Sequence, residues 1–185
     1  MTETKHRQAS QQPQRRLAAL IVAAGNGSRM AADGTNPDVP KQFMILGDRP
    51  VLAHSLDAFA THAAVVSIAV VTAADQTDRV QQIATDLLQD SQSTVPVQIV
   101  TGGATRQDSV RAGLRALQGS GAEMVAIHDA ARPLLTHEMI DRLMTAMSDD
   151  IAAALPVLPI ADTIKTTATD AITSTIDRSN GQLCW

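Results

Sequence analysis

The feature that most constrains this chain is an alternation. Short, largely apolar runs of strand length recur at residues 17–24 (LAALIVAA), 65–71 (VVSIAVV), 97–100 (VQIV), 124–127 (MVAI) and 151–157 (IAAALPV). The first is wholly apolar, as suits a strand covered on both faces, and the second is rich in β-branched residues. Between them lie stretches with helical spacing. Leu52, Leu56 and Phe59 follow Pro50; Val80, Ile83, Leu87 and Leu88 share a side of residues 75–88; Val110, Leu114 and Leu117 point inward from a third helix; residues 136–147 form a fourth, with Thr136 placed to cap it. Strand and helix in strict turn imply right-handed crossovers. The expected fold class is therefore α/β: a Rossmann-like, mostly parallel sheet with helices on both faces.

The flanks read differently. Residues 1–16 are polar, Gln-rich and without pattern, as expected of a disordered tail. Arg15 and Arg16 before LAALIVAAG resemble the start of a secretory signal, but the Gly-Asn-Gly-Ser-Arg that follows is not a small-x-small cleavage site. After Pro159, DTIKTTATDAITSTID is Thr-rich and roughly alternating, with Asp170 at a turn, which predicts a protruding β-hairpin arm. A lone hairpin is marginal in water, so the arm should pack on another surface, and a second subunit is the natural one. The expected organisation is a tail (1–16), an α/β domain (17–160) and a β-arm for dimerisation (161–185). The abrupt stop at Trp185 is read as a chain whose domain continues further.

Composition narrows the partners. A net charge of −4 and 2% aromatics, with no tyrosine, give neither the basic surface nor the stacking platforms of a nucleic-acid binder. The 44% hydrophobic content is enough for one aliphatic core, with seven Met residues as gap-fillers. One cysteine, Cys184, excludes an intrachain disulfide and fits a reducing compartment, and no apolar run reaches membrane-spanning length, so the expected location is cytoplasmic.

In open parallel sheets ligands sit beyond the carboxyl ends of the strands. Three unusual loops converge there: Gly25 and Gly27 after the first strand, Gly102 and Gly103 after the third, Asp129 and Arg132 after the fourth. Glycines let main-chain N–H groups approach an anion closely, and a triphosphate needs many donors in little space. Arg29 and Lys41 would add positive charge; the alternative is an ordinary strand-to-helix turn with Arg29 on a solvated face and Lys41 as one more surface lysine. Position 30 is Met, so the third glycine of a dinucleotide fingerprint is absent, and no lysine directly follows the loop as in a P-loop; both absences oppose those classes. Asp108 or Ser109 could cap the third helix, contact a ligand, or both. Asp129 at a strand end suits Mg²⁺ held jointly by carboxylate and phosphate oxygens; the alternative is a structural Asp bonded to nearby backbone N–H groups. His128 reads as a packed histidine rather than a base.

Taken together, AAGNGSRM, PKQF, GGATRQDSVRAGL, HDAARP, PVLPIADTIK and TIDR occur in the order seen in 2-C-methyl-D-erythritol 4-phosphate cytidylyltransferases, and the chain resembles that family from Leu17 to Arg178. The resemblance implies transfer of CMP from CTP to methylerythritol phosphate with release of pyrophosphate and use of Mg²⁺, as a step in making isoprenoid precursors. It implies Arg29 and Lys41 as stabilisers of the transition state and Arg178 as the holder of the substrate's phosphate. It places Ala23, Ala24, Gly25 and Gly27 along the triphosphate and ribose, and Gly103, Arg106 and Ser109 around the base. Asp129 would be the metal-side carboxylate, near the bound substrate together with Arg132 and Thr163. In this family the hairpin crosses to the partner of a homodimer. Three departures stand out: Val22 replaces a frequent proline, the stretch from Arg178 to Trp185 is longer than usual, and family members continue past this Trp with elements carrying a second substrate-positioning lysine and another acidic group. Two readings compete with this one: a cytidylyltransferase for another polyol phosphate such as ribitol 5-phosphate, and a chain that binds nucleotide or dimerises without turnover.

Overall fold

A computed structural model of the chain describes residues 15–25, 39–168, 170–177 and 182–184. The chain divides into two units, Met1–His137 and Glu138–Trp185; the expected domain boundary at residue 160 falls inside the second. The expected tail lies outside the described residues up to position 14.

The first unit is built on a parallel four-stranded sheet. Its strands are β1 (Leu17–Val22), β4 (Val65–Thr72), β5 (Val97–Thr101) and β6 (Met124–Asp129), in the order β5-β4-β1-β6. Two short strands, β2 (Ile45–Leu46) and β3 (Arg49–Pro50), form a small antiparallel pair between β1 and helix α1 (Val51–Ala60). Helix α2 (Thr77–Ser91) links β4 to β5, and α3 (Arg106–Ala116) links β5 to β6. The chain first steps from β1 through β4 to β5, then jumps back across β1 to β6. With right-handed crossovers the reversal puts α1 and α2 on one face and α3 on the other.

Side-chain alternation along the strands records the two faces. Ala18, Leu20, Ala69 and Val71 bury against Leu117, with Val110 and Val100 packed beside them. The opposite parity, Ala19, Ile21, Ile68 and Val70, is likewise buried, as are Leu52, Leu56 and Phe59 of α1 and Val80, Ala84 and Leu87 of α2. Each large aliphatic side chain so buried contributes about 1.5–3 kcal/mol relative to exposure.

The inward stripe of α3 differs from expectation. Val110 and Leu117 turn to the core, but Leu114 is 38% exposed, and Gly113 is buried in its place. A Cβ on Gly113 would stand 2.7 Å from both Leu20 Cδ1 and Val71 Cγ2. The helix therefore touches the sheet with its backbone at 113, and the stripe runs 110, 113, 117.

The second unit holds α4 (His137–Ala146, beginning in the last residue of the first unit), β7 (Val157–Pro159), the hairpin β8 (Lys165–Ala168) with β9 (Ala171–Thr175), and β10 (Gln182–Cys184). The hairpin forms where expected, with Asp170 in its turn. The fifth parallel strand expected at residues 151–157 does not form. Only Val157–Pro159 is extended, and it pairs antiparallel with Gln182–Cys184. The run of small residues Ala152, Ala153 and Ala154 has weak strand preference, and Pro156 has no N–H for a ladder.

Candidate functional site

The four strands of the sheet end flush. Val22 pairs with Val71 on one side and Asp129 on the other, and Val71 pairs with Val100. Each ladder continues one residue past its strand: Ala23 N–H donates to Val71 O (2.7 Å), Gly102 N–H to Thr72 O (2.8 Å) and Ala130 N–H to Val22 O (3.0 Å). Four loops thus leave the sheet at one rim, about 4.8 Å apart from strand to strand. The switch point, where chain order reverses, lies between β1 and β6, the place where open α/β sheets take ligands.

The first loop brings Ala23, buried, Ala24, half-buried, and Gly25, exposed. Gly27 and Arg29 lie outside the described residues. Lys41 is exposed and opens a 3-10 turn, Lys41–Phe43, that folds back onto the loop. The following Gln42 is buried, and its Nε2 donates to Ala23 O (2.8 Å) and Gly25 O (3.3 Å). Phe43 beside it is buried, with the Arg79 guanidinium 4.4 Å from its ring centre.

The loop after β5 is tied to α3. Ser109, 2% exposed, accepts from Gly103 N–H (3.2 Å) and donates to Thr105 O (3.0 Å). The N-cap of α3 is Thr105, whose hydroxyl accepts from Asp108 N–H at 3.0 Å and donates to Asp108 Oδ2 at 2.7 Å. This corrects the expectation that Asp108 or Ser109 caps the helix. The signal was present as Thr-x-x-Asp, a close relative of the capping box. Ser109, one residue further in, instead bonds within the turn.

At the switch point Asp129 meets two arginines. Arg106 donates to its Oδ1 at 2.9 Å and Arg132 Nε to its Oδ2 at 3.2 Å. Partial burial would raise the Asp129 pKa, but the two guanidinium groups, Arg106 foremost, outweigh it and hold the carboxyl below its ordinary value. The loop itself is pinned from beneath: Ser55 Oγ donates to Arg132 O (3.1 Å), and His128 Nε2 lies 3.0 Å from the same oxygen. His128 packs edge-on against Phe59, and burial lowers its pKa, so it is a neutral packing residue.

The structure thus gathers Ala23, Ala24, Gly25, Lys41, Gly103, Arg106, Ser109, Asp129 and Arg132 at one rim, on its loops, the first turn of α3 and the end of β6. Thr163 lies in the second unit, in the stretch before β8, and is exposed. Arg178 lies outside the described residues. Three rim residues escaped sequence reasoning: Gln42, and Asp75 with Gln76 in the turn after β4. They line a cleft of about 300 Å³ together with Ala23, Ala24, Gly25, Pro40 and Ala73. Asp75 reads in the sequence as the start of a helix, and the 3-10 turn Ala74–Gln76 that precedes α2 leaves no pattern of its own.

A parallel sheet of this order, with glycine loops and an arginine–aspartate cluster at its carboxyl rim, defines a Rossmann-like α/β protein of the ligand-binding kind. Within that class the chain belongs to the 2-C-methyl-D-erythritol 4-phosphate cytidylyltransferase family (IspD), whose model matches residues 17–183. Curated relatives include the bifunctional enzyme IspD/IspF of Rhizobium rhizogenes, 39% identical over 164 residues, which are 88% of this chain and 39% of that protein. That of Rhodopseudomonas palustris is 43% identical over 166 residues, 89% of this chain and 38% of that protein. The chain therefore spans well under half the length of these relatives. Among solved structures, a 4-diphosphocytidyl-2C-methyl-D-erythritol synthase superposes with a TM-score of 0.69 at 30% identity, covering 94% of this chain and 73% of that one. The 2-C-methyl-D-erythritol 4-phosphate cytidylyltransferase from Thermus thermophilus gives 0.62 at 26% identity, over 91% and 67%.

Proposed function

We propose that this chain carries the cytidylyltransferase activity of its family, transferring CMP from CTP to 2-C-methyl-D-erythritol 4-phosphate and releasing pyrophosphate. The observation that carries the reading is the family match over residues 17–183, which takes in every loop of the rim. In this reaction an oxygen of the substrate's phosphate attacks the α-phosphorus of CTP. The bond from that phosphorus to the bridging oxygen breaks, and pyrophosphate leaves with the electron pair. There is little covalent work for the protein, so catalysis is positioning and the offsetting of negative charge.

The main chain of Ala23, Ala24, Gly25 and Gly27 cradles the triphosphate and ribose; Gly25 is exposed, and a Cβ there would meet no atom of the described residues within 4 Å, which leaves room for a phosphate. Arg29 and Lys41 stabilise charge on the phosphoryl oxygens. Gly103, Arg106 and Ser109 border the base. Asp129 and Arg132 serve the substrate side, and in the dimer of this reading Thr163 and Arg178 serve sites built from two chains. Among the described residues no group of three or more His, Cys, Asp or Glu side chains could hold a metal unaided. The donor set nevertheless fits Mg²⁺, which is commonly held by one or two carboxylates plus substrate phosphates. Asp129 is 38% exposed, and each of its oxygens accepts one guanidinium N–H, leaving further lone pairs. Bound there, Mg²⁺ would neutralise phosphate charge.

The working protein in this reading is a homodimer joined through the hairpin arm. Support comes from the hairpin's exposure: Ile172 is 66% and Ile176 45% accessible, on a two-stranded unit too small to be stable by itself. We place the protein in the cytoplasm; among the described residues no helix is long and apolar enough to cross a membrane.

The test is pyrophosphate release from CTP and Mg²⁺ with methylerythritol phosphate, run beside ribitol 5-phosphate. Turnover with the first and not the second is expected; the reverse preference would contradict the substrate assignment. Arg29→Ala or Lys41→Ala should each slow the reaction a hundredfold or more, about 3–4 kcal/mol in the barrier. Unchanged rates in both variants would refute their roles.

A further inference from the structure

Gln42 is 7% exposed, and its amide spends both hydrogens on carbonyls of another segment, Ala23 O and Gly25 O. Nothing about burial alone requires this. A Met of similar volume would fill the same space, but it would leave two carbonyls at the end of β1 without these donors. The base from which Gln42 reaches is itself firm. Phe43 N–H donates to Pro40 O (2.8 Å), Met44 N–H to Lys41 O (3.2 Å) and Val51 N–H to Met44 O (2.9 Å), and the Phe43 ring lies buried beneath Arg79.

From this geometry we propose that Gln42 is a positioning residue for nucleotide transfer, a clamp that sets which way the peptide groups after β1 face and fixes Lys41 against them. The inference rests on the cytidylyltransferase reading and adds a residue to it. In a trans peptide the C=O and the following N–H point in opposite directions. Holding Ala23 C=O toward Gln42 therefore sends Ala24 N–H the other way. Holding Gly25 C=O keeps the negative end of that dipole off the path of an incoming anion. Released, either carbonyl could turn toward the triphosphate and repel it. The same clamp sets the distance between Lys41, one residue earlier in the turn, and the loop that it serves.

The discriminating variants are Gln42→Met, which keeps volume and removes both donors, and Gln42→Glu, which keeps shape and replaces the donors with a carboxylate. For the purified protein with CTP, methylerythritol phosphate and Mg²⁺, kcat/KM for CTP should fall about ten- to a hundredfold in Gln42→Met at every pH, the size of loss that follows a misplacement of roughly 1 Å. Gln42→Glu should fall equally at pH 8. Burial raises the pKa of the introduced carboxyl, and once protonated it donates one hydrogen bond. Its activity relative to wild type should therefore rise several-fold on going from pH 8 to pH 6, while that of Gln42→Met stays flat. A purely structural role would lower the melting temperature of both variants without that recovery. Wild-type kcat/KM in either variant, or a loss in Gln42→Glu that is the same at both pH values, would overturn the clamp. Absence of turnover in the wild-type protein would instead strike the activity reading on which it rests.

Discussion

Gly102→Ala offers a sharp test of how the rim is packed. A methyl group there would lie 2.7 Å from Ser109 Oγ, 2.9 Å from Ala24 Cβ and 3.3 Å from Val71 Cγ1. Comfortable carbon contacts are about 3.5–4.0 Å, so at least one neighbour must yield. Val71 is fully buried in the core, and Ser109 is held by bonds with Gly103 N–H and Thr105 O. Overpacking of this kind costs about 1–3 kcal/mol, and each hydrogen bond given up to relieve it about another 1 kcal/mol. We expect a net loss of about 2 kcal/mol, which for a chain of this size lowers Tm by about 4–8 °C. Gly25→Ala is the matched control. Among the described residues nothing lies within 4 Å of its would-be Cβ, so its stability should stay within about 0.5 kcal/mol of wild type. Its affinity for CTP should nevertheless fall, because the methyl group occupies the approach to the main chain. Denaturant titration followed by circular dichroism, paired with calorimetric CTP binding, reads both effects. A Gly102→Ala protein as stable as wild type, or a Gly25→Ala protein that loses more stability than it, would refute the packing argument.

Two further outcomes follow from the charge cluster and the arm. Because the folded pKa of Asp129 is depressed, its pairing with Arg106 and Arg132 stabilises the fold above the ordinary carboxylate range and is lost as pH falls through the lower folded value. The stability gap between wild type and Asp129→Asn should be steady near neutrality, under about 1 kcal/mol for each exposed pair, and should close in acid; a gap that widens in acid contradicts this. In the proposed dimer, Ile172→Asp or Ile176→Asp should shift sedimentation from dimer to monomer, and a dimer indifferent to both places the interface elsewhere.

The sheet was legible because its two central strands, β1 and β4, are nearly continuous apolar runs. LAALIV and VVSIAVVT are buried on both faces, and such runs admit few other readings at their length. The rim was legible for a related reason: Gly102 and Gly103 sit where a side chain would strike Ser109, Ala24 or Asp108, and the sequence shows that as a glycine pair. What escaped depends on partners distant in the chain. The IAAALPV run looks apolar enough for a strand, yet β7 begins only at Val157 and finds its partner in Gln182–Cys184. Leu114 fits the helical period as well as Gly113 does, and only the close approach of α3 to Leu20 and Val71 decides between them. Gln42 reads as one polar residue beside a lysine, and its reach to Ala23 and Gly25 appears only once the chain has folded back.

The central claim is that a nucleoside triphosphate is held by bare main chain and two cations at the carboxyl rim of the sheet. A crystal structure of the protein soaked with CTP and Mg²⁺ tests it most directly. The account predicts phosphate oxygens within hydrogen-bond distance of the main-chain N–H groups that follow Ala23, with Arg29 and Lys41 both directed at them. A nucleotide bound away from this rim, or both side chains turned from its phosphates, would contradict it.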